Sequence, residues 1–178
     1  MEQPSFGSPL GAVMQTAVVV DDIERAMEQW TRSYAVGPFF YLPHFPLFEA
    51  TYRGNPTDLD IDVALAFSGS MCFELIQQNN DASSPFRNVA TPHGLPLHHV
   101  AVASRLFEED LEAYQSRGNA LVASAKVGVG GRVAFLEAGP GPLLEIMELT
   151  PASEAFLSMI HAAAKSWDGR DPVRKLSP

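Results

Sequence analysis

The sequence holds one cysteine, Cys72, and no apolar run near the ~20 residues that a membrane-spanning helix needs. A single thiol rules out an internal disulfide framework and fits a reducing compartment, so a cytoplasmic protein is expected. Residues Met1 to Leu10 lack the basic start and apolar core of a secretory signal. Positive charge is scarce as well: 12 Lys and Arg against 21 Asp and Glu give a formal net charge of −9. Gripping a nucleic-acid backbone takes clustered cations, so neither nucleic acid nor membrane is expected as a partner. Several site motifs are missing too. No Gly-x-Ser-x-Gly elbow occurs, and Gly128-Val129-Gly130-Gly131 leads into a strand pattern rather than the helix of a dinucleotide fingerprint. Asp58-Leu59-Asp60-Ile61-Asp62 opens like a calcium loop, but Gly69 stands where such a loop needs a bidentate glutamate. It reads as a solvated turn. Cys72 has no chemical partner nearby and reads as a small core residue.

What the chain does have is a pattern that occurs twice. Its 178 residues, 46% of them hydrophobic, suffice for one globular domain. Gln15 to Ala26 reads as an apolar strand running into a helix, and His99 to Asp110 reads the same way. Each copy opens on a side chain able to coordinate a metal. Each is followed by an apolar strand carrying one glutamate, Phe73-Glu74-Leu75-Ile76 and Leu144-Glu145-Ile146-Met147. Singly, a strand glutamine bonds to backbone, a core histidine is hydrogen-bonded, and a strand glutamate finds a cap or an arginine. Four buried polar groups at matched places are costly unless satisfied together, which points to one site shared between the halves.

The remaining elements follow from patterning. A helix is predicted from Asp21 or Asp22 to about Ser33, with Ile23, Ala26, Met27 and Trp30 on one face. Phe39 to Tyr52 reads as a broken strand and loop, and Ile61–Phe67 with Met71–Gln77 as a hairpin around Ser68-Gly69-Ser70. A second helix spans Leu106 to Arg117 and closes at Gly118. Three strands follow at Ala120–Val127, Arg132–Glu137 and Leu143–Leu149, then a helix from Pro151 to about Trp167. Residues 1–12 read as a loose arm and the tail from Asp168 as frayed. The expected fold class is α+β: two paired βαβββ modules forming a cupped mixed β-sheet with flanking helices. Module one spans 12–80, a polar connector 81–96 and module two 97–150, with a helix and tail over 151–178. Aromatic, proline-punctuated Phe39-to-Phe48 is the candidate pocket lining, with Phe39, Phe45 and Phe48 named as its rings.

This order of elements, together with Gly130-Gly131-Arg132-Val133-Ala134-Phe135 and Leu144-Glu145-Ile146, resembles the vicinal oxygen chelate superfamily over residues 12–150. That superfamily includes glyoxalase I, methylmalonyl-CoA epimerase, ring-cleaving dioxygenases and antibiotic-resistance proteins. The second half resembles its epimerase branch. The resemblance implies metal ligands at Gln15, Glu74, His99 and Glu145. His98 competes with His99, but strand alternation is expected to turn it to the opposite face. Oxygen donors with one imidazole favour a divalent Zn, Ni, Co, Mn or Mg ion.

The resemblance further implies an isomerase, epimerase or glyoxalase-like lyase that forms an enolate on a small carbonyl-containing substrate, with Glu145 or Glu74 moving the proton. An apolar or aromatic substrate fits the candidate lining. The arginines that glyoxalase I enzymes use for glutathione have no counterpart in Thr16–Val19 or Leu95–Leu97, and Gln15 and Glu74 depart from the epimerases' first two ligands. One histidine does not suit the dioxygenase iron site. Relatives commonly pair, so a homodimer is implied. The alternative is a non-catalytic small-molecule binding or resistance protein of the same fold.

Overall fold

A computed structural model describes residue 4, residue 6 and residues 8–87, 97–137 and 139–176. Most of the expected connector lies outside these.

The first module opens with β1 (Val13–Val19) and α1 (Ile23–Tyr34). Asp22 caps α1 by accepting the Arg25 N–H at 2.9 Å, which satisfies one of the orphan donors of the first turn. Ile23, Ala26 and Met27 recur at helical spacing and bury against the sheet. Then come β2 (Phe39–Leu42), β3 (Leu47–Tyr52), the short β4 (Asn55–Pro56), β5 (Ile61–Ser68) and β6 (Met71–Gln78). The second module holds β7 (Leu97–Ser104), α2 (Phe107–Ser116), β8 (Ala120–Val127), β9 (Arg132–Glu137) and β10 (Leu143–Glu148). Helix α3 (Pro151–Lys165) and β11 (Val173–Lys175) complete the chain. Thr150 and Ser153 form a reciprocal capping box at the start of α3, with Pro151 in the first turn.

Among the described residues eleven strands form one mixed sheet in the order β11-β2-β5-β6-β1-β7-β10-β9-β8-β3-β4. Within each module the first and last strands pair in parallel, β1 with β6 and β7 with β10, and antiparallel β1–β7 pairing joins the halves. Helix α1 covers Val18, Ala64 and Leu75 on one face, and α2 covers Val102, Leu136 and Ile146 on the same face farther along. The other face carries the largest core, into which α3 packs Leu157 and Ile160. The sheet curls toward that side. Strands β5 and β3 stand seven places apart in the order, which in a flat sheet would be roughly 34 Å, yet both line one cavity.

Three segments differ from the expectation. Strand β3 leaves its own module and pairs with β8 of the other, so the β3–β4 hairpin closes the second half of the cup. The expected frayed tail contains β11, which pairs with β2 in parallel and takes up an otherwise open edge. Trp167 turns the chain there: its ring sits over Gly37, where a Cβ would come within 2.8 Å, and its Nε1–H donates to the Arg170 carbonyl at 2.6 Å. The expected loose arm is tied down at Phe6, which is fully buried, and at Gly11, whose N–H donates to the Ala103 carbonyl.

The Gly-Gly-Arg-Val run serves the scaffold. Gly131 has φ of +94°, and a Cβ there would lie 2.7 Å from the Glu148 carbonyl oxygen. Arg132 makes two parallel bonds to Glu148 at 2.8 and 3.0 Å, pairs with Glu108 and lies over the Phe107 ring. It pins β9, β10 and α2 together.

Candidate metal centre

Strand register brings the four expected ligands together in two rows. Across the first row Glu74 pairs with Ala17, and Ala17 with His99. Across the second Gln15 pairs with Ala101, and Ala101 with Glu145. Residues paired in register project from the same face of a sheet, so the four side chains surround a floor made of two alanines. Both alanines are fully buried. A larger side chain at either place would fill the space between the four groups.

The polar atoms converge closely. Oε2 of Glu74 and Oε2 of Glu145 lie 3.1 and 3.0 Å from Nε2 of His99. The Gln15 amide nitrogen donates to the same two oxygens at 3.0 and 3.4 Å. Gln15, His99 and Glu145 are buried, and the Glu74 side chain is 13% exposed. Nε2 of His99 is enclosed, yet no group stands in hydrogen-bonding alignment with it. The nearby carboxylates are therefore charge contacts beside its axis rather than aligned acceptors. An unsatisfied buried nitrogen between two carboxylates is costly in a protein interior, and a cation is the partner that satisfies all three.

Electrostatics agree with that reading. Burial pushes the Glu74 carboxyl above its ordinary value, and the neighbouring His99 only partly offsets it. Burial alone would depress His99, but the Glu145 and Glu74 carboxylates outweigh it and raise the imidazole to about 9. The site thus holds positive charge between its carboxylates, as a proton on His99 or as a metal ion. As a metal ligand Gln15 would present its amide oxygen in place of the nitrogen. Three oxygen donors and one imidazole suit a divalent ion of intermediate or hard character.

The structure corrects the expectation for His98. Ala17 and Val18 on β1 pair with His99 and Leu97 on β7, so His98 is the extra residue of a β-bulge. The bulge breaks the alternation that was to turn His98 away. It is buried instead, with its ring against Phe86 and Nδ1 at 2.9 Å from Nδ1 of His99. Its Nε2 lies 3.0 Å from the Pro85 carbonyl, which only accepts, so that nitrogen carries the proton. Burial, reinforced by His99, brings His98 down to about 4 and keeps it neutral. His98 Nδ1 then accepts from His99 Nδ1–H, which leaves His99 Nε2 for the metal position. A second bulge, at Met14, sits directly beside Gln15.

Gln15, Glu74 and Glu145 open onto an apolar cavity with about 940 Å³ of atom-free space, part of it continuous with solvent. Of the three rings expected to line a pocket, only Phe45 borders it. Phe39 is fully buried on the opposite face, under α1, because β2 alternates Phe39 and Tyr41 to that side. Phe48 is 57% exposed, since Leu47 takes the inward place on β3 and Phe48 pairs with Lys126 outside. Phe86, Phe135 and Phe156 border the cavity and were missed. Phe135 pairs in register with Glu145, so its face follows once the β9–β10 register is known. No local signal marks Phe86 or Phe156. Cys72 is buried with its thiol pushed well up, mainly by burial, which makes it an inert core residue.

A model of the glyoxalase/bleomycin resistance protein/dioxygenase superfamily matches residues 14–135, and the chain belongs to that superfamily. Its fold is similar to that of methylmalonyl-CoA epimerase from Mycobacterium tuberculosis, with a TM-score of 0.58 and 17% identity over 82% of this chain and 93% of that one. A Streptomyces coelicolor methylmalonyl-CoA epimerase variant in complex with 2-nitronate-propionyl-CoA gives a TM-score of 0.57 at 16% identity, over 80% and 97%. A hypothetical protein from Bacillus halodurans gives 0.57 at 18%, over 78% and 94%. No curated protein sequence matches the chain. No helix among the described residues is long and apolar enough to cross a membrane.

Proposed function

We propose that the protein is a divalent-metal-dependent enzyme of the isomerase or epimerase type, acting on a small carbonyl-containing substrate through an enolate. The observation that carries this is the unsatisfied Nε2 of His99, enclosed by Glu74, Glu145 and Gln15 at the wall of a cavity. Gln15, Glu74, His99 and Glu145 would hold the ion. Bound there, it would polarise a substrate carbonyl as a Lewis acid and make the adjacent C–H more acidic.

The chain's own residues do the rest. Glu74 is the more exposed of the two carboxylates, so its oxygen is the better placed to meet a substrate in the cavity and to take and return a proton. An oxygen of Glu74 accepts the proton from the carbon beside the carbonyl. Return of that proton by Glu74, directly or after it passes to Glu145 on another strand, completes the isomerisation. The apolar wall limits water's access to the enolate. Structural similarity to epimerases, whose names describe this kind of C–H chemistry, supports the reading.

The test has two arms. Metal analysis of the purified protein should return about one divalent ion per chain. With that ion bound, α-hydroxy ketones and 2-oxo compounds should exchange their α-protons in deuterium oxide, and Glu74→Gln should retain the ion while losing about 10²-fold or more of the exchange rate. A stoichiometric ion without exchange would leave only a binding or sequestering role on the same fold. Absence of the ion would sink the metal reading itself.

A further inference from the structure

Resting on the metal-centred reading above, the geometry points to a substrate class: an uncharged molecule with an aromatic body and one oxygenated head turned toward Glu74 and Glu145. Away from that head the cavity has nothing with which to hold a charge. Among the described residues no Lys, Arg or His side chain lines it. Each of its hydroxyls has a protein partner. Ser153 donates to backbone carbonyls within the α3 cap, Thr57 donates to the Ser83 carbonyl at 2.8 Å, and Thr51 and Ser124 bond to each other at 2.9 Å. Nearby basic residues are also engaged, Lys126 with Glu49 and Arg132 with Glu148 and Glu108. A nucleotide-bearing or otherwise multiply charged ligand would lose its hydration there without replacement partners.

The walls do offer ring faces. Phe45, Phe86, Phe135 and Phe156 border the cavity from a loop, the start of the connector, β9 and α3. Phe86 and Phe135 already meet edge-to-face at 5.8 Å. Among the described residues Phe45 and Phe156 pair with no other ring; each packs against the main core and also borders the cavity. Rings on several sides of an apolar space favour aromatic ligands through stacked and edge-on contacts. Helix α3 supplies one of those walls, through Phe156 and Leu157.

Three probes with related oxygen-bearing heads separate the possibilities: benzoin, acetoin and mandelate. Benzoin is neutral with two rings, acetoin is neutral with none, and mandelate carries one ring and a carboxylate. Calorimetric titration into the metal-loaded full-length protein should show benzoin binding about 100-fold or more tightly than acetoin, and more tightly than mandelate. Phe156→Ala should weaken benzoin about tenfold and leave acetoin unchanged. Equal, weaker or absent binding of benzoin overturns the inference, whatever the variant does. Proton exchange, followed in the same samples, reads the reaction separately. Tight benzoin binding without exchange upholds the substrate class and counts against the proposed chemistry. Exchange on acetoin or mandelate without a preference for benzoin does the reverse.

Discussion

His98 and His99 face each other through their Nδ1 atoms at 2.9 Å, so one of the two nitrogens donates and the other accepts. The Pro85 carbonyl decides which, because it fixes the proton of His98 on Nε2. The consequence reaches the far side of the His99 ring, where Nε2 is left for a metal.

Replacing His98 with Phe keeps a ring against Phe86 and Phe135 but removes the acceptor for His99 Nδ1–H. Metal affinity should fall by about 10–100-fold, as for other groups that orient a metal-bound histidine. Titration against a metal buffer reads this directly. Unchanged affinity in a folded variant would show that His98 does not orient His99.

Ala17→Leu places a larger side chain on the floor between Glu74 and His99 without replacing any ligand. Overpacking at this buried place should cost about 1–3 kcal/mol in denaturant unfolding. Divalent metal should no longer be retained after gel filtration. Full metal content would mean that the ion, if held, sits higher above the sheet than the register implies.

Supplying a divalent ion should stabilise the fold by mass action. At a free concentration of 100 times Kd the gain is about 2.7 kcal/mol, or roughly 5–11 °C in Tm for a chain of this size. A chelator should reverse it. Glu145→Leu removes one carboxylate from the cluster and should abolish the metal-dependent rise, which differential scanning calorimetry would resolve.

Asp62 gives a pH signature remote from the metal position. Its carboxylate accepts from Tyr41 Oη at 2.6 Å, the His44 N–H at 2.9 Å and the Asn79 side-chain amide at 2.6 Å. Burial raises its pKa, but these bonds outweigh burial and hold it below the ordinary carboxylate value. A folded-state pKa lower than the unfolded one gives stability that is present above the unfolded value of about 4. That stability is lost as pH falls through the folded value. Asp62→Asn should flatten the acid limb of the stability curve, and Asp62→Ala should cost about 1–3 kcal/mol at neutral pH. An unchanged acid limb in Asp62→Asn would remove Asp62 from the account.

Periodicity and punctuation made most of the elements legible: the hairpin turning at Gly69, the Asp22 cap, the strands Ala120–Val127 and Arg132–Glu137, and the duplicated strand–helix units. They also marked Gln15, Glu74, His99 and Glu145, because a polar side chain in an apolar strand is visible in one dimension. Local sequence could not show where pairing slips. The bulge at His98 arises from the match between β1 and β7, and it alone turns that ring from the far face to the side of His99. Nor could it show that β3 would leave its own module for β8, which sends Phe48 outward, or that β2 would turn Phe39 under α1. The four candidate ligands and the two-part plan were written in the order of residues, since burial is patterned along the chain. Their convergence over Ala17 and Ala101, the tautomer of His99 and the ring-lined cavity were decided by strand register and helix packing, which join residues far apart in sequence.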